Sequence, residues 1–134
     1  LVELGLRRWR GFGALRQHCP MNVEADLRDA GNSVWSERDD VRRDVERIDR
    51  MWCEQLAAGG GPMLFGRFGA ADAFYAPVCS RIRTYGLPLT QAALAYVRRV
   101  HELASVQAWN AAAVAEHDFL DFDEPYRQAG DVRR

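Results

Sequence analysis

Gly66-Arg67-Phe68-Gly69-Ala70-Ala71-Asp72-Ala73-Phe74-Tyr75-Ala76-Pro77-Val78 has the form of a helix start organised around one carboxylate. With Gly69 as N-cap, Asp72 falls at the third helical position. There it accepts from the backbone N–H of the cap residue and lies in the positive end of the helix dipole. A Ser or Thr at the cap would return the bond; glycine does not, at a cost of only a few tenths of a kcal/mol. Asp72 is expected to lie buried among Phe74, Tyr75 and Val78, which requires it to be fully hydrogen-bonded. Its truncation is expected to remove at least ~1 kcal/mol of stability. Pro77 lies inside this helix, where it deletes one backbone bond and is expected to bend the axis.

Outward from this segment the pattern is helical, and no run shows the alternation of a strand. Toward the N-terminus, Val41, Val45, Ile48, Trp52 and Leu56 recur at three- and four-residue steps, predicting one apolar stripe on a helix from about Ser36 to Leu56. Ser36 with Asp39 suggests its capping box. Asp39 and Arg43, and Glu46 and Arg50, are opposite charges one turn apart on the outer face. Ala58-Gly59-Gly60-Gly61-Pro62 ends this helix. A phosphate-binding loop would require a lysine, and the chain has none: its 18 basic residues are all arginine, which reads as a base-composition bias of the source genome.

Leu4 to His18 is the expected first helix, stopped at Cys19-Pro20. Met21 to Asn32 reads as a polar connection. Beyond Tyr85, Gly86-Leu87-Pro88 is a break. Thr90 caps a fourth helix with Leu94, Val97, Val100 and Leu103 inward. A fifth starts at Ala104-Ser105, with Val106, Trp109 and Ala113 on one side. The expected fold is an all-α five-helix bundle over residues 1–116, followed by an acidic and then basic tail over 117–134.

A chain of 134 residues is long enough for one sizeable core. Its net charge of -1 gives no reason to expect a nucleic acid partner. Charges interrupt every apolar stretch, so no membrane span or signal peptide is expected. Cys19, Cys53 and Cys79 form neither a disulfide framework nor a zinc pattern and suggest a reducing cytoplasm. The chain opens on Leu1, as would a fragment, a processed product or a gene with a non-standard start. His18-Cys19 is an imidazole beside a thiol, but neighbours in sequence rarely point at one another. The cluster His117, Asp118, Asp121, Asp123 and Glu124 lacks the spacing of a metal site, and no metal is expected. His101 borders the apolar stripe of its helix.

Pro62 to Phe68, Ala71 to Val78 and Ser80 to Gly86 together resemble the corresponding run of bacterial cytosolic glutathione S-transferases, within their C-terminal helical domain. The likeness extends to Leu15-Arg16 with Cys19-Pro20-Met21-Asn22, to Arg47-Ile48-Asp49 with Trp52, to Ala95-Tyr96-Val97 and Gln107-Ala108-Trp109, and to Asp123-Glu124-Pro125-Tyr126-Arg127. It covers about Trp9 to Arg127. The departures are Gly69, where the family has Ser or Thr, and the first eight residues.

The resemblance implies conjugation of glutathione, as co-substrate, to a hydrophobic electrophile. In that family a thioredoxin-like N-terminal domain activates the thiol, and no residue here matches the activating group. No catalytic residue or bound cofactor is therefore assigned to this chain, which alone is expected to be inactive. By the same resemblance Trp9 and Phe12 on the first helix and Arg81 on the third would form the substrate wall. Residues spaced as Trp9 and Phe12 are more often core than pocket, and an arginine such as Arg81 is more often a surface or ion-pair residue. A thioredoxin-like partner domain, an apolar docking face and a homodimer are further implications. The alternative is a non-catalytic helical module that binds proteins or apolar ligands.

Overall fold

A computed structural model describes residues 11–116 and 122–126. Six helices are present among them: α1 (Gly13–His18), α2 (Arg28–Glu37), α3 (Asp39–Gly59), α4 (Ala70–Tyr85), α5 (Gln91–Glu102) and α6 (Ala104–Glu116). There is no strand among the described residues, only isolated bridges pairing Met63 with Gly66 and Phe65 with Arg67 in the turn before α4. α3 packs on α1, α2 and α5, while α4 packs on α2 and α5. No described helix is long and apolar enough to cross a membrane.

The stripe read on α3 is the floor of the core: Val41, Val45, Ile48 and Trp52 are all buried. Trp52 sits edge-on between two tyrosines from different helices, with ring centroids 5.4 Å from Tyr75 of α4 and 5.0 Å from Tyr96 of α5. Such edge-to-face pairs suit the aromatic quadrupole. α3 ends at Gly60, whose φ of +74° closes the helix as the glycine run led one to expect. Thr90 caps α5 by accepting from Ala93 N. Its own N–H and hydroxyl donate to the Asp49 carboxylate at 3.1 and 2.7 Å, tying α5 to α3.

Three expectations change. Met21–Asn32 is not wholly a connection, because α2 begins inside it. Sequence pattern alone gives α2 only a weak apolar face; what holds it is tertiary contact. Leu27 N donates to Thr84 O at 3.0 Å, Val34 is buried, and Gly31 lies against the end of α4 so closely that a Cβ there would meet the Tyr85 carbonyl. Second, Ser36 does not cap α3. It belongs to α2, its hydroxyl donates to Asn32 O, and the extended residue before α3 is Arg38. Asp39 consequently pairs with Arg42, not Arg43, on an exposed face where such pairs are worth little. Third, Trp109 and Phe74 are not inward. They are 49% and 54% exposed, whereas Val106 holds α6 to the core. Leu4 to Trp9 of the expected first helix lies outside the described residues.

Two outcomes follow for the scaffold. Gly31→Ala should lower unfolding free energy by about 1–3 kcal/mol, the range for overpacking against an element that is itself fixed. A denaturant titration in which it matches or exceeds the parent would show that α2 does not pack so closely. His101 on α5 is half-buried, and burial lowers its pKa below 6.5, with Arg83 pushing the same way and the Cys79 carbonyl opposing. The unfolded chain therefore takes up that proton first. Stability is complete above pH 6.5 and declines as pH falls below it. A melting-temperature series from pH 7.5 to 5 should show this fall, shallower in His101→Gln.

Candidate functional site

α4 is organised by its first turn. Gly69 is the N-cap in an extended conformation, and its N–H donates to Asp72 Oδ2 at 2.9 Å. The other carboxylate oxygen accepts from Leu64 N at 3.3 Å and from the Tyr96 hydroxyl at 2.9 Å. Asp72 is completely buried. It thus joins three elements: the turn before α4, the start of α4 and the middle of α5. Burial pushes the Tyr96 phenol well above its ordinary pKa, with the nearby Cys79 thiol and the bond to Asp72 acting the same way, so it remains a donor.

The C-terminal half of α4 holds the segment that follows α1. Arg81 Nε donates to Cys19 O at 2.9 Å, Thr84 Oγ1 to Asn22 O at 2.6 Å, and the Tyr85 hydroxyl to Pro20 O at 2.9 Å. Three side chains in two turns thereby satisfy three of the four carbonyls of Cys19 to Asn22. The closing residues add a second layer: Asn22 Nδ2 donates to Glu124 at 2.7 Å, and the Tyr126 hydroxyl to His18 O at 2.9 Å.

Between α1 and this segment lies a recess of about 540 Å³, lined by Arg16 and Gln17 of α1, Met21, Arg81 and Asp123 among others. Its chemistry is set by two guanidinium groups. Neither Arg16 nor Arg81 forms an ion pair among the described residues. Burial, and then the charge of Arg16, pull the Arg81 pKa below its usual value. Arg81, partly buried, and Arg16, exposed, set two positive charges against the one carboxylate of Asp123, an excess suited to a group carrying negative charge.

Residues 34–126, more than two thirds of the chain, match the sequence profile described as Glutathione S-transferase, C-terminal domain, and the matched span runs from the last turn of α2 to the closing residues. The chain belongs to this family. No match to it is found among curated proteins, and none among solved structures.

In this glutathione S-transferase C-terminal domain the residues singled out from sequence occupy different settings. Trp9 lies outside the described residues. Phe12 is buried, its ring covered by the Arg47 guanidinium at 4.6 Å and 6.5 Å from the Tyr75 ring, so it is part of the core. Arg81 reaches the recess while also bracing Cys19 and, at 3.4 Å, the Pro77 carbonyl. Arg16 beside it was legible only as part of a family-like run, since an arginine on a short helix carries no signal of its own. Tyr96 as the partner of Asp72 was likewise hidden by a separation of 24 residues. Cys19 is no nucleophile here: it is fully buried, and burial pushes its pKa up to about 12. No group of His, Cys, Asp and Glu among the described residues could hold a metal ion; of the acidic cluster in the tail, His117, Asp118 and Asp121 lie outside them.

Asp72→Ala should lower stability by about 2–4 kcal/mol, because it leaves buried donors from Gly69, Leu64 and Tyr96 unpaired. Tyr96→Phe should lower it by about 1 kcal/mol. The double variant should fall short of their sum, since both remove the same bond. Simple additivity in urea unfolding would mean that the Tyr96–Asp72 bond carries no coupling.

Proposed function

We propose that this protein is the helical half of a glutathione S-transferase, forming the wall that holds an electrophile for attack by the glutathione thiolate. The observation that carries the reading is the recess between α1 and α4, where Arg16 and Arg81 face one carboxylate, Asp123, and neither forms an ion pair among the described residues. When a thiolate attacks an aryl or alkyl electrophile, negative charge builds on the group under attack and leaves with the departing anion. Arg81, held by its bonds to the Cys19 and Pro77 carbonyls, stabilises that charge without reorganisation, and Arg16 adds a second positive charge. The wall is thus more polar than a purely hydrophobic one, and it favours electrophiles that carry a nitro, carbonyl or halide substituent.

Activation of the thiol belongs, in this proposal, to a thioredoxin-like domain that also binds glutathione. Phe65, Phe68 and Phe74 surround the start of α4 and are 61%, 47% and 54% exposed. Apolar side chains gathered in this way mark an interaction surface, and we assign it to that domain. The assignment is compatible with a cytoplasmic bacterial enzyme and with a homodimer. A second reading, a helical interaction module without catalysis, rests on the same three phenylalanines and differs in having no use for the arginines.

The test is a conjugation assay with glutathione and a chromogenic aryl chloride. The 134-residue chain alone should stay at the uncatalysed rate, whereas the chain joined behind a thioredoxin-like domain of the same family should turn over. In that fusion Arg16→Gln, which disturbs no hydrogen bond seen here, should lower kcat/KM for the aryl chloride by about tenfold and leave the KM for glutathione unchanged. Turnover by the chain alone would overturn the division of labour. A fusion that folds and binds glutathione but never conjugates would favour the interaction module.

A further inference from the structure

In the same C-terminal half of α4 as Arg81, but around a separate cavity of about 490 Å³, Ser80 and Arg83 join His101 of α5, Asn110 of α6 and the chain before α2. Among the described residues, three of these side chains bury polar atoms that make no hydrogen bond of normal geometry, even with the Cys79 carbonyl close to His101: Ser80 Oγ, both ring nitrogens of His101, and Asn110 Oδ1. Ser80 is only 3% exposed. Buried polar atoms in folded proteins are nearly always hydrogen-bonded, and four unmatched atoms from three helices on one cavity call for a common occupant. A neighbouring groove of about 690 Å³ shares Arg83 and His101 and is walled by Leu87, Leu94 and Val97. Both volumes fall within the roughly 300–1,000 Å³ typical of small-molecule sites. Neither cavity is lined by Arg16 or Arg81.

The unmatched atoms restrict the occupant. Burial keeps His101 neutral at pH 7, and a neutral imidazole presents one donor and one acceptor nitrogen. Ser80 can do either. A simple anion offers only acceptors and leaves the acceptor nitrogen of His101 bare. A simple cation offers only donors and gives the N–H no acceptor beyond the Cys79 carbonyl. A carboxamide carries both functions in one plane without a charge to desolvate. The adjoining Leu87, Leu94 and Val97 surface receives an apolar body attached to it. We propose that Ser80, His101 and Asn110 form a binding site for small neutral carboxamides, with the amide in the polar cavity and its apolar substituent in the groove.

The site requires neither glutathione nor a second domain, so its failure leaves the conjugation reading untouched. The test is an NMR titration of the isotope-labelled 134-residue chain with benzamide, benzoate and toluene, which share a ring and differ in the head group. Benzamide should shift the signals of Ser80, His101 and Leu94 saturably, with a Kd at least about tenfold below those of benzoate and toluene, the size of effect expected when a site's buried polar groups find or lose their partners. Ser80→Ala and Asn110→Ala should each weaken benzamide at least about fivefold with an unchanged melting temperature. His101→Gln, which keeps a donor and an acceptor, should retain binding, and His101→Phe should not. No saturable shift up to the solubility of benzamide would mean that the cavity holds ordered water only. Tighter binding of benzoate would make it an anion site built on Arg83, and equal binding of toluene a merely apolar groove. Folded Ser80 and Asn110 variants that bind as the parent does would remove the assignment of the head group. Each of these four results overturns the proposal.

Discussion

A single carboxylate decides whether the parts of this bundle meet. Asp72 is wholly buried and accepts from two backbone N–H groups and one phenol, and each bond reaches a different part of the chain. The geometry explains why the cap residue can be glycine. The bond that Ser or Thr would add is local, within one helix turn, whereas the three made by Asp72 bring together a turn and two helices. Charge burial is costly unless every lone pair is used, so the cost itself selects the one arrangement in which all three donors converge. Trp52 then packs against Tyr75 and Tyr96, the rings flanking that network. Hydrophobic burial supplies most of the driving force for such a core; the carboxylate fixes its register.

What could be read from the sequence follows the range of the interactions involved. The α3 stripe, the glycine end at Gly60, the Thr90 cap and the Gly69–Asp72 start depend on residues within a turn or two, and their signals are periodicity and spacing. α2 escaped because it is held by Gly31 against a carbonyl and by Leu27 against Thr84, contacts that leave no periodic trace. Ser36 misled for a related reason: a good capping residue three positions before an acid is also at home in the last turn of the preceding helix. For the recess, Arg81 was visible only through likeness to a family, and Arg16 acquires meaning only from standing beside it.

Arg81 shows how structure and chemistry share one side chain. Its Nε and Nη1 are committed to carbonyls of Cys19 and Pro77, which fixes the plane of the guanidinium before any ligand arrives. A free arginine surrenders rotamer freedom on binding; this one has already done so on folding. The same bracing makes substitution at Arg81 ambiguous, because loop geometry and ligand contact change together, whereas Arg16 reports on charge alone.

The clasp formed by Asn22, Glu124, His18 and Tyr126 has a consequence for the order of assembly. The Tyr126–His18 contact spans 108 residues and the Asn22–Glu124 contact 102, so both close very long loops. Loop-closure entropy makes such contacts late events, and during synthesis from the N-terminus they must await nearly the whole chain. α1 itself is held to α3 by the bond from Leu15 N to Asp44. What waits for the end of synthesis is therefore the loop after it, and until then the recess lacks its Asp123 side.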